Sequence, residues 1–338
     1  MTFAGLGLTT AAVAAGSADT AGASNGAAWR STRTAAASRE AAWDSTRTAA
    51  ASREAAWDST RTPAAFTGRA ASSTSATGPA GHASVARRHV SAEPCLVPGY
   101  KKTLNHLWRP DMAAAVAYAR SRVGDVAFAV RTDHRFYGYR ANHVEWSASV
   151  VKAMLMVAYL DMPVVANHPI NGYVSLLIPM IEHSDNIAAT TVIGIVGLSG
   201  LRALAARVGM ENFEPVLPIW GETRVTPADQ TKFFYRIDGY IAPPHRKFGM
   251  HLLASITRSQ RWGIGEVTPR GWTPYFKGGW GSGTGLIDNQ VALLKRGCSR
   301  ASIAVLTMHD GSHDYGKETL RGIFSRLLRG FPKGTPSR

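Results

Sequence analysis

The chain has 338 residues, 45% of them apolar, a net charge of +15 and two cysteines, Cys95 and Cys298. That is enough apolar material for one or two domains with a buried core. Without a C-x-x-C pair a zinc ribbon or thioredoxin-like site is excluded, and without long Lys/Arg runs no specific nucleic acid is expected as a partner.

Residues 1–28 are small and mildly apolar, and Ala12-Val13-Ala14 has the A-x-A form of a processing site. The segment reads as a truncated signal, since the first Arg is Arg30, and points to a secreted or cell-envelope protein. Residues 29–94 hold a 14-residue repeat that begins at Trp29, Trp43 and Trp57. It lacks an a/d apolar seam, so it reads as a low-complexity spacer and not a coiled coil. Residues 1–94 contain nine Arg and six acidic residues, a balance of +3, which leaves +12 on the remainder. A basic surface of that kind biases the protein towards polyanions such as anionic envelope polymers.

From Cys95 the texture changes, and a single folded domain is placed at 95–332. Helices are predicted at Asp111–Arg122, Ser149–Tyr159 and Tyr173–Glu182. A helix pair, Ile187–Val196 and Gly200–Val208, follows, then Pro227–Ile237 and Arg246–Arg258. Gly124–Arg131 and Phe136–Arg140 read as a hairpin; Thr273–Gly279, Gly285–Lys295 and Ala301–His309 read as three strands, closed by a helix at Gly316–Leu328. The fold class is therefore α/β (α+β): an antiparallel sheet built from both ends of the chain, flanked by helices, with a reduced all-helical subdomain. Cys95 and Cys298 are either one disulfide or two unrelated thiols.

Three short patterns carry chemistry. Ser149-Val-Val-Lys152 places a hydroxyl and an amine on one face of a helix start. A desolvated Lys has a lowered pKa and can take the proton that keeps a hydroxyl from attacking. Average composition yields roughly one chance S-x-x-K in such a chain, and a capping Ser beside a snorkelling Lys is the plain alternative. Met154, Leu155, Met156 and Val157 argue against it, because a Lys on a buried helix needs a reason. Ser184-Asp185-Asn186 offers a second hydroxyl and a side-chain amide; its plain alternative is a helix cap. Lys277-Gly278-Gly279 puts a cation at a strand end where a substrate backbone can lie close; its plain alternative is a Gly-rich turn.

In this order the three patterns resemble the S-x-x-K, S-D-N and K-T-G motifs of the serine β-lactamase and penicillin-binding protein superfamily. The resemblance covers about residues 100–330. It implies a serine hydrolase that forms an acyl-enzyme with a β-lactam, a cell-wall peptide or a related amide or ester. Ser149 would be acylated, Lys152 would be its base, and Ser184 would pass the proton to the leaving nitrogen. Asn186 would bind the substrate amide, and Lys277 would anchor Ser184 and the substrate carboxylate. Gly279 would give the substrate room, and the backbone N–H groups of Ser149 and Trp280 would form the oxyanion hole. No metal or cofactor is implied, and the chain is expected to act as a monomer on a small-molecule or peptidoglycan-peptide substrate.

Three departures qualify the match. The third motif lacks its middle hydroxyl, for which Ser282 or Thr284 are the nearby substitutes. The stretch from Lys152 to Ser184 is short. The loop Glu211–Pro227 lacks the Glu-Leu-Asn that activates a deacylating water in class A enzymes; Glu222, in Trp220-Gly-Glu222, is the nearest carboxylate. The alternative function is accordingly a non-catalytic or slowly turning over penicillin-binding-like module docked on the envelope.

Overall fold

The computed structural model of the chain describes residue 104 and residues 108–169, 174–281 and 286–333. The signal segment, the repeat, Cys95, Ser282 and Thr284 lie outside the described residues. Cys298 is disulfide-bonded.

Asp111 starts helix α1 (Met112–Arg120) by accepting the Ala114 N–H at 3.0 Å, which satisfies one of the donors a helix start leaves free. Strands β1 (Asp125–Arg131) and β2 (Phe136–Tyr139) follow as an antiparallel hairpin. The short β3 (Glu145–Trp146) leads into a 3-10 turn, Ala148–Val150, and then α2 (Val151–Leu160). After α3 (Pro163–Ala166) and α4 (Val174–Glu182), α5 runs from Asn186 to Val208. The expected helix pair is this one element, interrupted at Gly197, whose φ of 68° and ψ of 170° are not helical. Strand β4 (Arg224–Val225) pairs with β3. Helices α6 (Pro227–Tyr235), α7 (Ile237–Tyr240), α8 (Arg246–Ala254) and α9 (Ile264–Val267) come next. Strands β5 (Thr273–Gly281), β6 (Ile287–Arg296) and β7 (Ser299–Met308) precede the closing helix α10 (His313–Leu327).

The sheet order is β2-β1-β7-β6-β5, antiparallel throughout. Pairing of β1 with β7, from Asp125↔Met308 to Arg131↔Ser302, joins the two ends of the domain across the helical section. The central strands are covered on both faces, which is why Val126–Val130 is buried without alternation. Each large core side chain, such as Phe128, Leu293 or Phe324, contributes roughly 1.5–3 kcal/mol by leaving water.

The predicted elements differ from the structure at their ends. The helix placed at Gly316 begins at His313, because Ser312 accepts the Tyr315 N–H and caps it three residues earlier. The helix placed at Arg246–Arg258 ends at Ala254. The β3–β4 pair, α3 and α9 are too short to carry a periodic signal.

Candidate active site

Helix α2 is apolar all round, and Val151 to Val157 are fully buried. Lys152 sits within this run with no exposed surface, so its amine must find its partners inside the protein. It finds them on the α4–α5 connection. Lys152 Nζ donates to the Ser184 carbonyl at 2.5 Å, to Asn186 Oδ1 at 2.7 Å and to Ser184 Oγ at 3.2 Å. Ser184 itself has φ 59°, a left-handed conformation that costs a non-glycine residue roughly 1–2 kcal/mol. The adjoining Asp185 starts α5 by accepting the Ala188 N–H at 2.8 Å, which fixes the turn that presents Ser184 and Asn186. The cap expected for this triplet and the site residues therefore occur together.

Lys277 approaches from β5. It too is fully buried, and its Nζ donates to Ser184 Oγ at 3.0 Å and to the Gly278 carbonyl at 2.8 Å. The Ser184 hydroxyl oxygen thus lies between two amines. No carboxylate makes an ion pair with either amine among the described residues. Burial, together with the Lys277 charge, pushes the pKa of Lys152 down to about 6, although Asp185 pulls the other way. Burial alone pushes Lys277 down to about 7.

Ser149 lies in the 3-10 turn that precedes α2, immediately after Ala148, whose φ is 44°. It is 8% exposed. The turn is tethered on both sides. Ser147 N donates to the Thr223 carbonyl at 2.8 Å, and Asn289 Nδ2 on β6 donates to the Trp146 carbonyl at 2.7 Å. The hydrogen bonds of Lys152 go to Ser184 and Asn186, and Ser149 is not among their acceptors.

The third motif meets Ser149 through backbone. A Cβ on Gly279 would lie 2.6 Å from the Ser149 nitrogen, 2.8 Å from the Val150 nitrogen and 2.9 Å from the Ser147 carbonyl oxygen. Only glycine permits that approach. Strand alternation puts Lys277 and Gly279 on the side facing the Ala148–Val150 turn, and puts Gly278 and Trp280 on the opposite side, where Trp262 and His313 lie. On that side the Trp280 ring stacks on His313, with centroids 5.6 Å apart.

Glu222 closes a 3-10 turn, Trp220–Glu222, and is half-buried. It makes no side-chain hydrogen bond or ion pair among the described residues. The same turn instead lays Trp220 against the amine: its ring centroid is 4.9 Å from Lys152 Nζ, and its Nε1 donates to Thr190 Oγ1 at 3.2 Å. Two structural contributors escaped the sequence reading. Asn289 had a signal, as part of a polar Asp-Asn-Gln run on a buried strand. Trp220 had none, because its partner Lys152 is distant in the chain. Among the described residues no group of three His, Cys, Asp or Glu side chains is arranged to hold a metal ion.

The geometry supports acyl transfer: a hydroxyl on a tethered turn, a buried amine of low basicity, and a second hydroxyl between two amines. Residues 174–330 match the family model of the β-lactamase enzyme family. No curated protein matches the chain. Among solved structures, a β-lactamase from Sphaerobacter thermophilus is 21% identical, with a TM-score of 0.56 over 66% of this chain and 98% of that one. A class A β-lactamase from Mycobacterium abscessus is 18% identical, with a TM-score of 0.57 over 65% and 99%. A β-lactamase from Desulfarculus baarsii is 19% identical, with a TM-score of 0.54 over 64% and 97%. At these identities the solved structures speak for a β-lactamase-like fold, and the match to the β-lactamase enzyme family is carried by residues 174–330, just under half of the chain.

Proposed function

We propose that the protein is an exported serine hydrolase that is acylated on Ser149 by a β-lactam, a wall peptide or a related amide or ester, and that it releases the acyl group slowly. The observation that carries this reading is the full enclosure of the Lys152 amine, whose pKa burial pushes down to about 6, into the range where it can take a proton at neutral pH. As Ser149 Oγ bonds to the substrate carbonyl carbon, its proton passes to that amine, and the carbonyl becomes an oxyanion facing the N–H groups of Ser149 and Trp280. The bond from carbon to the leaving nitrogen or oxygen then breaks. The leaving atom takes a proton from the Ser184 hydroxyl, which recovers one from Lys152. Asn186 accepts from Lys152 through Oδ1, so its Nδ2 is left to meet a substrate amide. Hydrolysis of the acyl-enzyme needs an activated water. Trp220 lies over Lys152, and Glu222 is engaged with neither Ser149 nor Lys152, so the second step is the slow one.

Export rests on residues 2–15 and on the disulfide-bonded Cys298, since disulfides persist in oxidising compartments. The net charge of +15 favours residence among anionic envelope polymers. The second reading is a non-catalytic module with the same cleft. It is favoured by one observation: Lys152 hydrogen-bonds Ser184 and Asn186 rather than Ser149.

Intact-protein mass spectrometry of the full chain, mixed with a penicillin or with p-nitrophenyl acetate, separates the two. The enzyme reading expects a long-lived mass increase from at least one of them, lost in Ser149→Ala. Absence of any Ser149-dependent adduct or turnover from both compounds overturns it.

A further inference from the structure

We propose that Asn289 is a positioning residue for the nucleophile: its carboxamide, acting through Trp146, holds the turn that presents Ser149 to a substrate carbonyl. The inference rests on the acyl-enzyme reading above and adds to it a residue outside the three motifs.

Asn289 lies on β6 directly across from Gly279, and residues paired in this way point to the same face of the sheet. That is the face on which the Ala148–Val150 turn sits. Gly279 leaves the turn free to come down onto β5, and beside it the fully buried Asn289 side chain reaches the Trp146 carbonyl, with Nδ2 donating at 2.7 Å. At its other end Oδ1 accepts the Thr307 N–H at 2.9 Å. This second bond takes the place of a rung of the sheet. The paired register of β6 and β7 runs from Arg296↔Ser299 to Gln290↔Val305 and stops one step short of Asn289. The carboxamide fills the opening between the strands and makes it a seat for the turn. Thr307 is itself fixed there, because its hydroxyl accepts the Asp288 N–H at 3.1 Å and is hydrogen-bonded to Asp310.

The chemistry of the two contacts selects this residue type. An N–H can only donate and a carbonyl can only accept, so the side chain between them needs one oxygen and one N–H. An ionised Asp has the same shape with two acceptors, and Leu has neither. What the bond holds is a single planar peptide unit. Its carbonyl end, on Trp146, is held by Asn289 from β6, and its nitrogen end, on Ser147, donates to the Thr223 carbonyl at 2.8 Å. Clamped from both sides, that plane fixes the entry to Ala148, whose φ of 44° a non-glycine residue keeps only when its surroundings enforce it. Ser149 follows at once. Releasing the carbonyl end frees the plane to rotate, and the Ser149 hydroxyl and N–H move with it.

The test is the burst of p-nitrophenol released when the full chain is mixed with p-nitrophenyl acetate over a range of concentrations. The amplitude counts folded sites, and the rate constant reports their geometry. Asn289→Ala is expected to lower the saturating rate constant about 10²-fold, with the half-saturating concentration changed by no more than about twofold. An unchanged rate constant, at whatever amplitude, shows a purely fold-stabilising residue and overturns the proposal. If Asn289→Ala does not fold, Asn289→Asp decides. It still accepts the Thr307 N–H but donates to Trp146 only as the protonated acid, so its rate relative to the wild type is expected to fall as pH rises. The titratable groups around this point are Glu145 on β3, Lys277 on β5, Asp288 on β6 and Asp310 beside Thr307; the 3-10 turn has none, and both proteins share all four. A ratio that stays constant with pH overturns the proposal. A wild type without a Ser149-dependent burst overturns the acyl-enzyme reading instead, and this one with it.

Discussion

The two walls of the cleft are built on different principles. The helical wall, from α2 and the α4–α5 turn, works through side chains: Ser184 and Asn186 both lie within 3.2 Å of the Lys152 amine, in surroundings dry enough to hold that amine near pKa 6. The sheet wall, from β5, works mainly through backbone: Gly279 lies against the Ser149 nitrogen, so what matters there is the absence of a side chain. The Lys277 side chain crosses between them. The difference teaches where each wall is vulnerable. The helical wall fails when a group is removed, and the sheet wall fails when a group is added.

The sharpest break of the helical wall is Ser149→Ala. Deleting the hydroxyl is expected to abolish every covalent adduct, read as unchanged mass after incubation, while the melting temperature stays close to that of the wild type. The corresponding break of the sheet wall is Gly279→Ala. A methyl 2.6 Å from the Ser149 nitrogen must push the strand or the turn apart, which displaces the N–H groups proposed to hold the oxyanion. Acylation is expected to fall about 10²–10³-fold, the effect of losing one such donor. A smaller loss with intact thermal stability would mean that β5 moves more freely than its packing implies.

The depressed amine sharpens the comparison further. Lys152 acts as a base only when neutral, so acylation rises with pH through its pKa. With that pKa pushed down to about 6 by burial, the rising limb is expected near pH 6 rather than in the ordinary lysine range. Trp220→Ala admits water beside the amine, restores solvation of its charged form and moves the limb to higher pH, slowing acylation at pH 7. A limb that stays at pH 6 in this variant would show that α2 alone dries the amine. The smallest effect belongs to Glu222→Gln. A half-exposed carboxylate without a side-chain partner among the described residues is expected to change adduct lifetime by no more than ~twofold. A markedly longer lifetime would identify Glu222 as a deacylating base.

Much of this was legible in the sequence for a local reason. Hydrophobic periodicity marked β1, α2 and β5–β7, and the Ser149–Lys152 spacing marked a shared helix face, because both depend only on the geometry of one element. The buried run from Met154 to Val157 even indicated that Lys152 was enclosed. Tertiary structure alone decided what Lys152 bonds to, that Trp220 and not Glu222 approaches it, and that Trp262 fills the place behind Gly278. These contacts join residues as far apart in the chain as Lys152 and Trp220, and no periodicity along the chain encodes such a meeting. The sequence determined which residues had the capacity for chemistry; packing between distant elements decided which of them share a cleft, and how dry that cleft is.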